Sequence, residues 1–393
     1  MLFGAPDFKP KGVTCMRKSY PILGIMAHLN IQDGEIIGKQ GPVLYKYLTA
    51  AKRYKITACV FDPADVNIDD ERLLGYVLST MPAGREMELV RVEIPIPRVI
   101  YDQIASRRYE NQEHILSVRE YLRSHALVFN DGFFDKWQVH AWLAQEPKLQ
   151  RYLPDTALLD GTHSLVRFLK EHDVVFVKPI NGSLGLGIVK LVHDEQKIKA
   201  VLKTRSGHIN ENQFSSGEHV YRFYKKRWLR RPHVLQEGLS LITVDERPVD
   251  IRVLLQKDRK GLWKKTKMYV RVAAEGEFTS NLTTGGLAVP LSSLFQTQEN
   301  MSLEAIERHI RRLTTQIPLA LERASGRLLG ELGVDLGVAQ NGRLSIIEVN
   351  SKPWKAPETV HGSTQLVELS FIRPVRFAIH LAKTVDARGE TLS

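Results

Sequence analysis

The sequence predicts a chain of the α/β and α+β classes, with a small N-terminal α/β domain built on a mostly parallel sheet. Three observations support this prediction. In the first third of the chain, short apolar runs alternate with helical patterns. Residues 174–192 then form two runs rich in Val and Ile around a glycine-rich loop, which indicates a β-hairpin. A later hairpin turns at Asn341-Gly342, a dipeptide that favours tight turns between antiparallel strands.

The N-terminal part is expected to comprise a loose lead-in over residues 1–20 and an α/β domain over residues 21–128. Its predicted elements are, in order, a strand from Pro21, a helix over Val43–Tyr54, a strand over Ile56–Pro63 and an apolar segment over Pro95–Val99. The edge of this unit is expected around residues 125–150. There the pattern indicates a strand, a turn and a helix that begins near Asp135.

The middle of the chain is predicted to form helices and strands around the glycine-rich loop. Its predicted elements are a helix over Thr162–Glu171, the hairpin at residues 174–192, a basic helix over 195–203, a polar surface loop over 204–219 and a strand over His233–Leu239.

The last part is predicted to pair long strands with long helices. Its predicted elements are a strand over Arg247–Gln256, an antiparallel neighbour from Leu262, a polar turn with Asn281, Gly285 and Gly286, a helix over Leu303–Leu329, the second hairpin and a closing helix. Because side chains alternate along a strand, Asp250 and Arg252 are expected on one face of theirs.

Composition places the chain among ordinary globular proteins, since 43% of its 393 residues are hydrophobic and 25% are charged. No segment approaches the roughly 20 consecutive apolar residues of a membrane helix. The first 20 residues lack the apolar core of a secretory signal. Two cysteines, Cys15 and Cys59, are too few for a disulfide framework or a zinc site. A cytoplasmic location without membrane contact is therefore expected.

The net charge of +11 suggests an anionic partner, such as a nucleotide, an anionic polymer or nucleic acid. Basic residues are densest at positions 225–231, which include Lys225, Lys226, Arg227, Arg230 and Arg231. A solvated helical face is the favoured interpretation of this cluster, because no nucleic-acid-binding motif accompanies it. Nucleic acid is therefore not expected as a partner, although a nucleic-acid site remains the alternative.

The loop between the strands of the first hairpin has features of an anion site. Gly182, Gly185 and Gly187 let backbone N–H groups approach a bulky anion, and Lys178 adds a positive charge beside them. The lysine precedes the glycines and a strand follows them, so the loop matches neither the Walker-A motif nor the dinucleotide fingerprint. The alternative is a plain hairpin whose glycines only turn the chain.

Oxygen-bearing side chains cluster in the second hairpin. Glu348 and Asn350 are two residues apart and are expected on one face of their strand, with Asp335 opposite them on the first strand. Two carboxylates and a carboxamide are ligands that suit Mg²⁺. The alternative is a polar hairpin edge with ordinary surface acids.

Taken together, these motifs resemble those of the ATP-grasp family, over about residues 129–355. The matching stretches appear in the family's order: DKW, FVKPINGSLGLG, LQEGL, VDIRV, SNLTTGG, GVDLG and IEVNSKP. The sequence is most similar to the endospore coat-associated YheC/YheD-type members of that family. The resemblance implies an N-terminal subdomain over residues 129–235 and a C-terminal subdomain over 236–393, with ATP held between them.

The resemblance also implies roles for individual residues. Those expected to bind ATP are Lys136 and Lys178 at the phosphates, Ser183, Gly185 and Gly187 in a mobile loop, and Gln236, Glu237 and Leu239 at the adenine. The expected magnesium ligands are Asp335, Glu348 and Asn350. Arg252 is expected to face the transferred phosphate and the acyl group, and Asn281 to lie near the acceptor. Either Asp245 or Glu246 could contact the ribose, and this role stays open.

The function implied is an ATP-dependent carboxylate–amine ligase that acts through an acylphosphate, uses Mg²⁺, and serves sporulation or the spore coat. Its carboxylate and amine substrates are unknown, and the basic residues hint at an acidic one. Coat proteins are expected partners, and the location would be the mother-cell cytoplasm and the spore coat. The alternative is a structural or assembly protein of the coat that binds ATP without turnover.

Overall fold

The computed structural model describes residues 14–15, 22–80, 87–182, 185–194, 196–204, 208–277, 280, 282, 285–294, 302–355 and 364–388. Its helices pack against three large β-sheets that follow one another along the chain. The first sheet is mixed, whereas the second and third are antiparallel throughout. The predicted combination of α/β and α+β architecture is confirmed. Within this described part, no helix is both long enough and apolar enough to cross a membrane.

The N-terminal sheet has a parallel centre and an antiparallel flank. Its strands, together with a short ribbon formed by β3 and β4, are β1 (Thr14–Cys15), β2 (Ile22–Met26), β3 (Ile31–Gln32), β4 (Glu35–Ile36), β5 (Thr57–Phe61), β6 (Val66–Asn67), β7 (Arg72–Thr80), β8 (Met87–Pro95), β9 (Val99–Asp102) and β10 (Leu127–Phe129). The spatial order is β1-β8-β7-β5-β2-β9-β10, with β6 beside β7. The helices are α1 (Gly41–Arg53), α2 (Arg107–Glu110) and α3 (Glu113–His125).

Strand β2 pairs in parallel with β5 and β9, and β9 pairs in parallel with β10, which forms the edge expected around residues 125–150. The antiparallel hairpin of β7 and β8 was not predicted from the sequence. Polar residues interrupt the second of these strands, which reads MELVRVEIP, so its apolar character is weak.

The central sheet carries the glycine-rich loop. Its strands are β11 (Thr156–Leu158), β12 (Val174–Pro179), β13 (Val189–Asp194), β14 (Lys197–Lys203), β15 (Ile209–Phe214) and β16 (His233–Glu237), in the spatial order β11-β16-β12-β13-β14-β15. The helices of this part are α4 (Lys136–Ala144), α5 (Pro147–Gln150), α6 (Thr162–Glu171) and α7 (Gly217–Trp228). The helix predicted to start near Asp135 is confirmed, because Asp135 caps α4 by accepting from the N–H of Gln138.

Two predictions for this region are wrong. A basic helix is predicted over residues 195–203, but residues 197–203 form β14. Ile198, Ala200 and Leu202 are buried, while Lys197 and Lys199 are exposed, which is the period-two alternation of a strand. The polar loop expected over residues 204–219 contains β15, whose exposed polar side chains conceal its strand character.

The C-terminal sheet contains the second hairpin. Its strands are β17 (Thr243–Val244), β18 (Arg247–Lys257), β19 (Trp263–Val272), β20 (Leu287–Val289), β21 (Glu331–Val338) and β22 (Leu344–Asn350), in the order β20-β19-β18-β21-β22 with β17 beside β18. The long helices are α8 (Leu303–Ser325) and α9 (Thr364–Arg388). Helix α8 ends earlier than the predicted Leu329, because Gly326 takes a left-handed conformation at its C-cap.

Buried contacts join the N-terminal and C-terminal sheets. The Asn130 amide donates to the carbonyls of Glu331 and Ser351, at 2.8 and 2.6 Å, and its oxygen accepts from the N–H groups of Gly330 and Glu331. Helix α9 also packs Phe371 and Val375 into the apolar core of the N-terminal domain. The start of β21 and the segment that follows β22 are thereby held against the N-terminal sheet.

Candidate active site

A cavity of about 2090 Å³ is lined by residues of the central and C-terminal sheets and by helices and loops of the N-terminal domain. The N-terminal domain contributes Arg107, the central sheet contributes Lys178 and Gln236, and the C-terminal sheet contributes Arg252 and Glu348. Residues far apart in the sequence therefore face one space. A cleft between packed units that contains convergent polar groups is where proteins commonly bind small molecules.

Lys136 links the glycine-rich loop to the second hairpin. Its Nζ donates to the carbonyl oxygen of Gly182, at 2.9 Å, and to the carboxylate of Glu348. Lys136 is the first residue of α4, and its backbone N–H donates to the carbonyl of Ile180. The lysine is therefore anchored beside the loop by both its backbone and its side chain.

Two of the described glycines of the loop hold conformations that favour glycine. Gly185 and Gly187 have φ angles of 70° and 78°, which most residues adopt only with strain. A Cβ atom at Gly187 would lie 2.8 Å from Nη2 of Arg231, so the end of that flexible side chain would have to shift. Ser183, which was predicted to belong to this loop, lies outside the described residues.

Lys178 lies at the end of β12, inside the cavity, and its Nζ donates to Oε1 of Gln236 on β16. Burial disfavours its charged form and, together with the nearby charge of Lys136, lowers the pKa of the Lys178 ammonium to about 8. The charge of Glu348 acts in the opposite direction. A bound anion would therefore meet a lysine whose charge depends on pH near neutrality.

Gln236, Glu237 and Leu239 lie along the exit from β16 and all line the cavity. The amide of Gln236 donates to Oγ1 of Thr156, at 3.3 Å. Glu237 accepts from the N–H of Asp155 through Oε1, at 3.0 Å, while its own N–H donates to the Asp155 carbonyl. The predicted linker segment is thus tied to β11 on one side and to Lys178 on the other.

A buried network of acids and arginines forms the floor on the C-terminal sheet. Arg252 donates to both oxygens of Asp335, with Nη2 at 2.9 Å from Oδ2. Arg271 bridges two acids, with both donors at 2.6 Å from the Asp250 carboxylate and Nη2 at 2.9 Å from Asp335. Ser280 also donates to Asp250. The four charged side chains balance one another and fix the Asp335 carboxylate in place.

The two carboxylates of this network have opposite pKa shifts. Burial and the charge of Asp335 raise the pKa of Asp250 above its ordinary value, against the attraction of Arg271. For Asp335 burial alone would raise the pKa, but Arg252 and Arg271 together lower it. Asp335 is therefore held in its ionised form.

The predicted magnesium ligands lie on adjacent strands. In the register of β21 and β22, Asp335 is opposite Glu348, and Gly333 is opposite Asn350. All three side chains line the cavity. Within the described part of the chain, the Asn350 amide has no hydrogen-bond partner, so its oxygen is available as a ligand. Oxygen donors alone make up the set, and this chemistry fits Mg²⁺.

Sequence reasoning missed two arginines that the fold brings into the cavity. Arg271 is the cross-strand partner of Asp250, so extending the period-two argument from β18 to β19 could have found it. Arg107 stacks on Phe133, with its guanidinium 4.5 Å from the ring centre, and donates to the Asn181 side chain at 3.3 Å. No signal in the sequence distinguishes Arg107 from its exposed neighbour Arg108.

One residue considered in the sequence analysis falls outside the described residues, and two others do not line the cavity. Asn281 lies outside the described residues. Asp245 and Glu246 occupy the turn between β17 and β18, where both have positive φ angles of 49° and 60°. Neither of these two acids is among the residues that line the cavity.

One antiparallel sheet carries a glycine-rich hairpin, a second carries carboxylates, and both line one cavity. This arrangement defines the ATP-grasp class of fold. The model of the YheC/D-like ATP-grasp family matches residues 125–381, and the chain belongs to this family.

Curated relatives come from Bacillus subtilis (strain 168). Endospore coat-associated protein YheD is 25% identical over 335 residues, which cover 85% of this chain and 72% of the relative. Endospore coat-associated protein YheC is 25% identical over 307 residues, which cover 78% and 83%. Among solved structures, D-alanyl-alanine synthetase A from Vibrio cholerae O1 biovar eltor str. N16961 is similar over 93% of this chain and 97% of that chain. Its sequence identity is 10% and its TM-score is 0.49.

Proposed function

We propose that this protein is an ATP-dependent ligase that joins a carboxylate to an amine through an acylphosphate. One observation supports the proposal most directly: Lys136 bridges the glycine-rich loop and the Glu348 carboxylate inside the shared cavity. This arrangement places cations beside oxygen ligands, as the triphosphate of an Mg²⁺–nucleotide complex requires.

Each sheet contributes a different part of the proposed ATP site. Lys136 and Lys178 would bind the phosphates, with the backbone N–H groups around Gly185 and Gly187 above them. The segment from Gln236 to Leu239 would receive the adenine, because its backbone and side chains lie along the exit from β16. Such sites combine a few oriented polar groups with apolar walls.

Asp335, Glu348 and Asn350 would hold the magnesium ion, which when bound neutralises phosphate charge during transfer. For this to occur, Lys136 must exchange the Glu348 carboxylate for phosphate oxygens. Asp335 is already oriented by Arg252 and Arg271, so its position does not depend on the nucleotide. Arg252 lines the cavity, where it would face the transferring phosphoryl group and the acyl oxygen.

The proposed reaction has two steps. A substrate carboxylate oxygen attacks the γ-phosphorus of ATP, the bond from that phosphorus to the bridging oxygen breaks, and ADP leaves. The nitrogen of the amine then attacks the acyl carbon, the bond to the phosphate oxygen breaks, and a proton passes from nitrogen to water. The protein contributes alignment and charge neutralisation, which are the main sources of rate enhancement in phosphoryl transfer.

We propose further that the protein acts in sporulation or at the spore coat, because two relatives are named as endospore coat-associated. Its substrates would be ATP, a carboxylate and an amine, and coat proteins are the natural source of macromolecular partners. The location proposed is the mother-cell cytoplasm and the spore coat.

The test is a screen for ADP release with pairs of carboxylates and amines in the presence of Mg²⁺, alongside calorimetric ATP binding. Glu348→Ala is expected to abolish release, and Glu304→Ala, at an exposed position of α8, serves as the matched control. Release that survives in Glu348→Ala would refute the assignment of the site. ATP binding without release from any pair would instead favour an assembly protein that binds ATP without turnover.

A further inference from the structure

A row of basic residues follows one face of α7 and continues just past its end. The row consists of three cations and one aromatic residue, namely Lys226, Arg227, Arg230 and Phe223. Their spacings of three and four place them side by side on the helix surface. We call these four residues the basic stripe. All four are exposed, and all four line the same cavity as Lys178 and Glu348.

No acidic side chain in the described part of the chain neutralises the charges of the basic stripe. Among the described residues, Lys226, Arg227 and Arg230 have no carboxylate within 4.0 Å, whereas Lys199 on the neighbouring strand β14 pairs with Glu211 at 2.8 Å. Cations in the last turn of a helix are favoured by its dipole, which accounts for basic residues at this end of α7. The dipole does not explain why they share one face, nor why that face lines the cavity.

A sheet edge runs beside the stripe. Strand β15 is last in the order of the central sheet, and within the described chain it pairs only with β14. Phe223 is 59% exposed and its ring lies 5.3 Å from that of Phe214 on β15, while Ile209 at the start of the strand is 44% exposed. A free edge presents backbone N–H and C=O groups that an extended peptide can pair with.

The surface formed by the basic stripe and the edge of β15 extends toward the proposed reaction site. Arg231 follows the stripe directly, and its Nη2 lies close to Gly187 of the glycine-rich loop. Leu202, Thr204 and Asn210, on or beside β14 and β15, line the same cavity. A chain laid along the stripe would thus have one end near the proposed phosphates.

We propose that the basic stripe and the free edge of β15 bind an extended acidic peptide segment of the substrate. This inference rests on the proposed ligase function and names its substrate class. Carboxylate side chains of the segment would pair with Lys226, Arg227 and Arg230, its backbone would extend the central sheet, and apolar side chains would contact Phe223. The phosphates of single-stranded nucleic acid could pair with the cations, but its backbone could not form the hydrogen bonds of an added β-strand. Proteins that bind single-stranded nucleic acid usually stack several aromatic side chains on its bases.

The test is fluorescence anisotropy on the full-length protein with a labelled glutamate-rich peptide. The probes for comparison are a glutamine-rich peptide of equal length, a single-stranded DNA of equal charge, and a glutamate-rich peptide N-methylated at alternate residues. The stripe is changed in K226E/R227E/R230E and, to limit any effect on folding, in K226Q/R227Q/R230Q. The matched control is R308E/R311E/R312E, which reverses as many exposed cations on α8, outside the cavity.

Both stripe variants are expected to bind the acidic peptide about tenfold more weakly or worse, the combined effect of three exposed charge pairs, while the control binds like wild type. The N-methylated peptide and the glutamine-rich peptide should also bind weakly. Three results would overturn the proposal. The stripe and control variants could lose peptide affinity equally, the wild-type protein could fail to bind the acidic peptide, or the protein could bind the DNA more tightly than the peptide.

The same measurement in Glu348→Ala separates this inference from the ligase. Peptide binding that depends on the stripe should persist in that variant, because Glu348 is not part of the stripe. Should every screen for ADP release fail, stripe-dependent binding would still establish the peptide site. Should ligase activity be found without stripe-dependent binding, the peptide site alone would be refuted.

Discussion

Lys136 and Glu348, which are 212 residues apart in the sequence, form an ion pair at the base of the glycine-rich loop. The same lysine donates to the carbonyl of Gly182, so one side chain links the loop to the strand that carries Glu348. In the proposed complex, the lysine turns to phosphate and the carboxylate turns to magnesium. The two events should therefore be thermodynamically coupled.

The first prediction concerns this coupling. Glu348→Gln is expected to lose most of the gain in ATP affinity that Mg²⁺ provides, because an amide is a poorer ligand than a carboxylate. Affinity for metal-free ATP should stay the same or increase, since Lys136 is released from its carboxylate partner. Isothermal titration calorimetry with MgCl₂ and with EDTA measures both values. A variant that keeps the full gain from Mg²⁺ would contradict the predicted role of Glu348.

The second prediction follows from the lowered pKa of Lys178, which is about 8 in the free protein because the ammonium is buried. ATP phosphates favour the charged lysine, so ATP affinity should be highest below pH 8 and fall as pH rises through that value. At its steepest, the decline in ATP affinity is about tenfold per pH unit. Lys178→Arg keeps its charge over this range and should give a flatter profile. Parallel profiles for the two proteins would rule out Lys178 as the titrating group.

The third prediction concerns the stability of the acid–arginine network. Arg271→Met would leave Asp250 and Asp335 buried near each other with Arg252 as their remaining charged partner. The loss of one partner from a buried ion pair costs about 3–5 kcal/mol of unfolding free energy. Arg323→Met, which breaks the exposed pair with Glu146, should change the unfolding free energy by less than about 1 kcal/mol. Chemical denaturation measures the unfolding free energies of both variants. Similar losses in the two would contradict the stabilising role of the network.

The fourth prediction concerns His233, whose pKa is lowered to about 4 chiefly by burial. Its Nδ1 donates to the Arg231 carbonyl at 2.7 Å, and only 2% of the residue is exposed. Because the unfolded chain takes up this proton near pH 6.5, stability should fall as pH drops from 6.5 to 4. The loss attributable to His233 is about 3 kcal/mol.

His233→Asn retains a donor near Nδ1 but does not titrate, so its unfolding free energy should decline less over this pH range. The measurement is the difference between wild type and variant in urea denaturation at several pH values. A difference that stays constant with pH would show that His233 does not contribute to the pH dependence.

Several elements could be predicted from the sequence because their local patterns agree with their tertiary surroundings. The helix predicted over Thr162–Glu171 coincides with α6, and the hairpin that turns at Asn341-Gly342 has the expected register of Asp335 against Glu348. The prediction of a helix over residues 197–203 is wrong because three of the seven residues are lysines, which have a high helix propensity. Alternate residues of this strand are apolar and pack beneath α7, and this burial overrides the helix propensity of the lysines.

The sequence alone determined which residue types are available to the site, since the glycine-rich loop, the lysines and the candidate oxygen ligands are recognisable from residue type and spacing. Only the tertiary structure decided which of these groups meet. It showed that Lys136 pairs with Glu348 and that Arg271 joins Asp250 to Asp335. It also showed that Lys226 and Arg227 of α7 line the cavity. Spacing within one element follows from backbone geometry, whereas contacts between elements depend on how distant segments pack. For this reason the sequence could predict an anion site at the glycine-rich loop, but it could not predict the contact between that loop and the carboxylates.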